Sequence, residues 1–320
     1  MNKHIVDSQP MTAATGVAGY YRLVLEEKDG TVVQDTGWFK NLITNNGLLF
    51  IRDELVWFGN VMLGSGSAAP TILDTTVTTL IDGVKKDYTG QVSAATSDYF
   101  FTRGEAIFLE GVSTGNVREL ANFTFAQPTK CFNHSLILDA GSNPTTIVKG
   151  PDQILRVFYE IRNYPKLTDT VGVIDISGTS YDYTVRAANF APGVSSWNVN
   201  VREEIVFSSQ QTAFSGGDLG PTTGQPTGTS IGSLSGSPGA IAKIGSGSFG
   251  PPENLTFFND FQLQASTTWW VHANGIRCVK FRSRNCIWQI KYAATVGGGS
   301  IPKTAEQRLR LKFRLSWTRF

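Results

Sequence analysis

Residues 63–80 read LGSGSAAPTILDTTVTTL, a glycine-rich stretch that runs into an aspartate and a set of threonines. Small residues followed by polar ones have the composition of a phosphate cradle, in which backbone amides, a lysine and a hydroxyl hold the anion. Here the lysine is missing, and Pro70 removes one amide donor. No βαβ unit precedes the stretch, so a dinucleotide fingerprint fails as well. GSGSAAP also departs from the G-x-S-x-G turn that carries a hydrolase serine. The stretch reads as a tight loop leaving a strand, with Asp74 and the threonines bonded locally to backbone.

Other side chains capable of chemistry are dispersed. Cys131, Cys278 and Cys286 with His4, His134 and His272 show none of the tight spacing that a zinc site needs. His134, set among apolar residues in FNHSLIL, reads as a hydrogen-bonded strand histidine. Asp74, Asp82, Asp87, Glu105, Glu110 and Glu119 are scattered, as solvated surface carboxylates are. The expectation is no catalytic residue, no cofactor and no metal. Two features read instead as contact surfaces. Trp269 and Trp270 are adjacent, so in a strand they point to opposite faces: either one is exposed and suited to a partner or a sugar, or both are buried at an edge or in a second sheet. Arg308, Arg310, Lys312 and Arg314 recur at every second position and form a basic row, suited either to a sheet edge or to an acidic partner.

The elements that must position these residues are strands. A chain of 320 residues is long enough for a substantial core, and 41% hydrophobic with 17% charged residues is a globular composition. The net charge of +2 gives no reason to expect nucleic acid as a partner. MNKHIVDSQPMTAATG lacks the apolar core of a signal peptide, and no run approaches the roughly 20 apolar residues of a membrane span, so neither export nor membrane insertion is expected. Three sparse cysteines are no disulfide framework and fit assembly in a reducing cytoplasm.

GYYRLVLEEKDGTVVQDTGWF reads as a hairpin turning at Asp29-Gly30, with Tyr21, Leu23 and Leu25 on one face. TNNGLLFIRDELVWFG reads as a short helix near residues 46–58, with Leu48, Ile51, Leu55 and Phe58 at helical spacing behind a Thr44/Asn45 cap. AIFLEGV, ELANFTF and HSLILD read as short strands. QILRVFYEIRNYP is a longer one that buries Leu155, Val157, Tyr159 and Ile161 and stops at Pro165. TVGVIDIS, SYDYTVRA and SWNVNVREEIVF alternate in the same way. IRCVKFRSRNCIWQIKY reads as two strands around a turn at 283–285, which would set Cys278 opposite Ile290 and Cys286 opposite Arg282. Residues 208–252 form a long Gly/Ser/Pro-rich loop with isolated apolar anchors. RLRLKFRLSWTRF closes the chain with Leu309, Leu311, Phe313, Leu315 and Trp317 facing inward. Many short strands and one helix predict an all-β fold: a β-sandwich, read as two sandwich-like units over 1–165 and 166–320, the second either an extension of the first or a separate module.

Four stretches in order carry a resemblance. TGWFKNLITNNGLLFI resembles a strand, N-L-I-T-x-x-G-L and helix found in a group of tailed-bacteriophage virion proteins. VMLGSGSAAPTILDTTVTTL is similar to that group's strand, G-x-G-x-x-x-P and aspartate-threonine run. GNVRELANFTF resembles its G-N-I-x-E strand, with Ala121 in place of the usual glycine. CFNHSLILDAGSNPTTIVKGPDQILRVFYEIRNYP resembles its closing segment, with His134 where the group often has arginine. The resemblance covers about residues 20–165. It implies a non-enzymatic structural component of the virion tail (fibre, tail-tip or baseplate type), which self-assembles as a symmetric homo-oligomer and contacts other tail proteins. It implies synthesis in the host bacterial cytoplasm and no catalytic residues. The alternative is a receptor- or glycan-binding tail adhesin with a host surface glycan as partner. A polysaccharide depolymerase is a third reading, for which no acid pair at a readable spacing is found.

Overall fold

A computed structural model describes residues 3–6, 11–53, 59–125, 128–187, 213–214, 219, 256–265, 275–282, 287–304 and 306–320. The elements in chain order begin with β1 (Lys3–Val6), β2 (Met11–Glu26), β3 (Val32–Asp35), β4 (Phe39–Lys40), β5 (Leu42–Ile43) and α1 (Asn45–Asp53). There follow β6 (Asn60–Gly64), β7 (Leu80–Asp87), β8 (Thr89–Ala95), β9 (Phe100–Phe108), β10 (Gly115–Val117), β11 (Glu119–Phe123), β12 (Cys131–Leu136) and β13 (Ile147–Lys149). The last are β14 (Ile154–Pro165), β15 (Thr170–Ile176), β16 (Thr179–Ala187), β17 (Ala213–Phe214), β18 (Thr256–Ala265), β19 (Cys278–Arg282), β20 (Ile287–Ala294) and β21 (Gln307–Arg319). The fold is all-β and sandwich-like, as the period-two patterning predicts.

The chain divides into two compact units. One is built on Val17–Asn163 with Arg319–Phe320; the other draws on Met1–Gly16, Tyr164–Gly193 and Val201–Thr318. The boundary near 163 lies close to the end of the resemblance, while the first 16 residues group with the second half of the chain.

In the first unit one sheet runs β2–β14–β9–β8, with β3 and β4 also on β2, and a second runs β5–β12–β11–β6–β7. The two-residue rhythm of β14 explains the packing: Leu155, Val157, Tyr159 and Ile161 are fully buried while Arg156, Phe158 and Arg162 are half-buried. Each buried aliphatic side chain stabilises the unit by about 1.5–3 kcal/mol. Tyr21, Leu23 and Leu25 of β2 are buried likewise, and the hairpin turns through 27–31 with Gly30 at φ 88°. The two inner faces meet at a polar contact, where the Tyr21 hydroxyl donates to Asn133 Oδ1 of β12 at 2.5 Å.

The helix begins where its cap predicts. Thr44 Oγ1 accepts the Gly47 amide at 3.0 Å, satisfying one of the free donors of the first turn, and donates to Cys131 O at 2.8 Å. Gly47 is there because α1 lies against β12: a Cβ at that position would collide with the Phe132 carbonyl. Leu48 and Ile51 are fully buried, whereas Leu55 and Phe58 lie outside the described residues.

In the second unit β15–β16–β20–β19–β17 form an antiparallel sheet. The expected β19–β20 hairpin is present with its register moved by one residue: Cys278 pairs with Lys291 and Arg282 with Ile287. Four residues rather than three separate the paired ends, which carries each partner one place further along. β21 buries Leu309, Leu311, Phe313 and Trp317 as expected. It is not an edge strand. β18 pairs along it from Leu309 to Thr318 and β1 pairs in parallel from Gln307 to Arg310, so both of its sides are occupied around Leu309–Arg310. Side-chain periodicity marks a strand's faces, but its edges are filled by strands from remote parts of the chain. Residues 188–212 and 220–255, which hold SWNVNVREEIVF and nearly all of the Gly/Ser/Pro-rich loop, lie outside the described residues.

Candidate functional site

β11 and β12 break the alternating pattern. All five residues of β11 and the first five of β12 are buried, so both faces of this part of the sheet are covered. The second cover is the loop from β6 to β7, the glycine-rich stretch itself. Its Val77 packs with Met62, Ala121, Phe123 and Cys131.

Beneath this loop three titratable side chains meet. His134 Nδ1 is 2.6 Å from Asp74 Oδ2, and His134 Nε2 is 2.9 Å from Glu119 Oε2. His134 and Glu119 are fully buried and Asp74 is 20% exposed. The register explains the contact. Ala121 stands directly opposite His134 across the β11–β12 pair, and its small side chain lets the ring lean diagonally to Glu119. Each ring nitrogen thus has a carboxylate oxygen within hydrogen-bonding distance.

Glu119 is held on every side. Gly66 N at 3.0 Å and Thr79 N at 2.8 Å donate to Oε1, Thr78 N at 3.0 Å donates to Oε2, and the Thr78 hydroxyl lies within 2.9 Å of both oxygens. The glycine-rich loop is thus an anion cradle after all, and the anion is the protein's own carboxylate. A Cβ on Gly66 would collide with Thr78 Oγ1 and Glu119 Oε1, so the close approach requires glycine. Burial is the largest influence on the Glu119 carboxyl and opposes its charge. The Thr78 and Thr79 amides, the Thr78 hydroxyl and His134 together overcome it and hold the group below the usual glutamate range.

Asp74 closes the loop on itself by accepting Thr71 N at 2.7 Å and Thr71 Oγ1 at 2.6 Å, the local bonding expected of it. Burial again opposes the charge, and the two Thr71 bonds with His134 outweigh it, so this carboxyl also lies low. Thr78 and Thr79 do not bond locally as expected; they serve a glutamate 41 and 40 positions away. Asp74 and Glu119 are likewise not the dispersed surface carboxylates that their spacing suggests.

The geometry has little to offer a reaction. Both His134 nitrogens are engaged by carboxylates, and neither is turned to Cys131, whose thiol donates to the Asp74 carbonyl at 3.3 Å. Burial, reinforced by the charge of Asp74, pushes that thiol up to about 12, so it stays protonated. The imidazole separates the two carboxylates, so the three do not converge on a point. Among the described residues no group of His, Cys, Asp and Glu is arranged to hold a metal ion.

The residues expected at contact surfaces fall elsewhere. Trp269 and Trp270 lie outside the described residues, as do the side chains of Arg308, Arg310 and Leu315. Lys312 and Arg314 are half-buried on β21, and in register with β18 they stand opposite Gln262 and Asp260. The described part of the basic row thus lies on a stretch of β21 that is paired with β18.

Sequence reasoning passed over a second surface. On the outer side of β2, β14 and β9, Arg162 lies 3.8 Å from the Tyr20 ring centroid and 4.7 Å from Tyr99, and Arg103 lies 4.7 Å from Trp38 and 5.3 Å from Phe101. Glu160, almost fully buried, joins the two arginines as ion-pair partner of both. Its signal was present in the even-numbered residues of β14, opposite the apolar ones.

No protein-family model, curated protein or solved structure matches the chain. Among the described residues no helix is long and apolar enough to cross a membrane.

Proposed function

We propose that this protein is a non-enzymatic structural component of a bacteriophage tail, which assembles with itself and contacts other tail proteins. The observation that supports this reading is the convergence of the resembling stretches on one buried node. Thr44 and Gly47 from the first stretch, Gly66, Asp74, Thr78 and Thr79 from the second, Glu119 from the third and Cys131 and His134 from the fourth are joined by hydrogen bonds or close contact in one unit. The motif residues carry architecture, which suits a virion part whose work is to hold shape. A phage with a stop codon in this gene tests the proposal: it is expected to give particles with defective tails. Complete, infectious particles from that mutant would refute it.

A second reading, a glycan-binding adhesin, is favoured by the arginine and aromatic surface of β2, β14 and β9. Half-exposed rings beside fixed guanidinium and carboxylate groups are the components of a sugar-stacking site. Binding to a glycan array that is lost in Trp38→Ala would favour it over a purely architectural role.

A further inference from the structure

β15 ends its sheet, and among the described residues only β16 pairs with it. That pairing runs from Thr170–Val185 to Ile176–Thr179 without a register break. Ser177 and Gly178 close the hairpin with positive φ of 52° and 84°, the two-residue turn whose twist matches the strands. The outer side of β15 presents a row of backbone donors and acceptors, a template for another strand.

Four other strands that end sheets are blunted. β7 carries Asp82, Lys85, Lys86 and Asp87 and shifts register against β6. β8 shifts between Thr89 and Val92, where Gly90 has φ 57°. β5 and β17 are two residues long. β15 has no lysine, no proline and no shift, and Thr170–Ile174 carry no charge. Its outward face shows Val171 at 71% and Val173 at 52% exposure. On the inward face Gly172 is covered by Tyr183, whose hydroxyl oxygen would lie 2.6 Å from a Cβ there. An aromatic ring over an edge glycine helps to pin the register of the strand.

We propose that β15 pairs antiparallel with β15 of a second copy of this chain across a two-fold axis. Directly opposed residues of an antiparallel pair share a face, so the axis must fall on a residue. Placed on Gly172, it sets each Val171 against the other copy's Val173, covering both exposed valines with β-branched neighbours. No charge lies in Thr170–Ile174. At the ends of the pair each Asp175 stands opposite the other copy's Asp169, a like-charge contact that Arg186 offsets through its two hydrogen bonds of 2.7 Å to Asp169. The choice of a second copy as partner rests on the self-assembling role proposed above. The seam itself is tested in solution, without particles, so its failure and a failure of the tail assignment are separate results.

The test is sedimentation velocity of the full chain over about three decades of concentration around micromolar, where a narrow strand-to-strand interface should dissociate. Wild type is expected to dimerise, or to form larger even-numbered assemblies. Val171→Lys/Val173→Lys and Val171→Glu/Val173→Glu are each expected to weaken association by about 100-fold through like charges opposed across the seam. Below the concentration at which wild type associates, their melting temperatures should match wild type, because both valines are exposed in the single chain, and mixing the two variants should restore association. Wild type that stays monomeric throughout, variants that associate like wild type, or a mixture that fails to associate would each overturn the proposal.

Discussion

Glu119 Oε2 accepts a hydrogen bond from His134 Nε2 at 2.9 Å, both side chains fully buried and set diagonally on the antiparallel strands β11 and β12. The pair anchors the glycine-rich loop from below. Glu119→Gln keeps the shape but removes the charge and turns an amide nitrogen toward donors. Leaving several buried donors without their carboxylate acceptor costs about 3 kcal/mol or more. Urea unfolding should show that loss with little change in slope, since the surface exposed on unfolding is the same.

Acid should find the same weak point. Both Asp74 and Glu119 are held below their ordinary range in the folded chain. A carboxyl with a depressed folded pKa adds stability that is fully present above its unfolded value of about 4 and is lost as pH falls through the folded value. Unfolding midpoints measured downward from pH 6 should fall steeply below about pH 4. In Glu119→Gln the fall should be shallower, because one of the two linked groups is gone.

Gly66→Ala places a methyl group where Thr78 Oγ1 and Glu119 Oε1 already are. Displacing either one disrupts the cradle, so a loss of about 2 kcal/mol or more is expected. Ala69→Ser, on the exposed part of the same loop, should change stability by less than about 0.5 kcal/mol. Equal melting temperatures for the two variants would show that the loop is not packed as described.

Val157→Asp buries a carboxylate at a position with no exposure, opposite Ala106 on β9. A loss above about 4 kcal/mol is expected, enough to leave little soluble folded protein. A folded variant with an unchanged melting temperature would place this face of β14 outside the core.

Much of this fold was legible because strands repeat every two residues. Leu155 to Ile161 and Leu309 to Phe313 announced their buried faces, and Thr44 announced the start of α1. The node was not legible in that way. Asp74 and His134 are 60 positions apart and Glu119 and His134 are 15 apart, spacings that mean nothing until β11 and β12 are paired and the loop is folded over them. The loss of alternation in ELANF and CFNHS was the available signal, since a strand buried on both faces must have a second cover. Strand edges were hidden for a related reason. The side chains of β21 report its faces, while β18 and β1 decide whether its edges are open.

The tail role proposed above puts this chain on the virion. Its most direct test is electron cryomicroscopy of purified virions in which the chain carries a compact tag visible as added density. Tag density is expected on the tail, at positions repeated by the tail's symmetry. Purified, infectious particles without tag density, from lysates in which the tagged protein is abundant and folded, would contradict it.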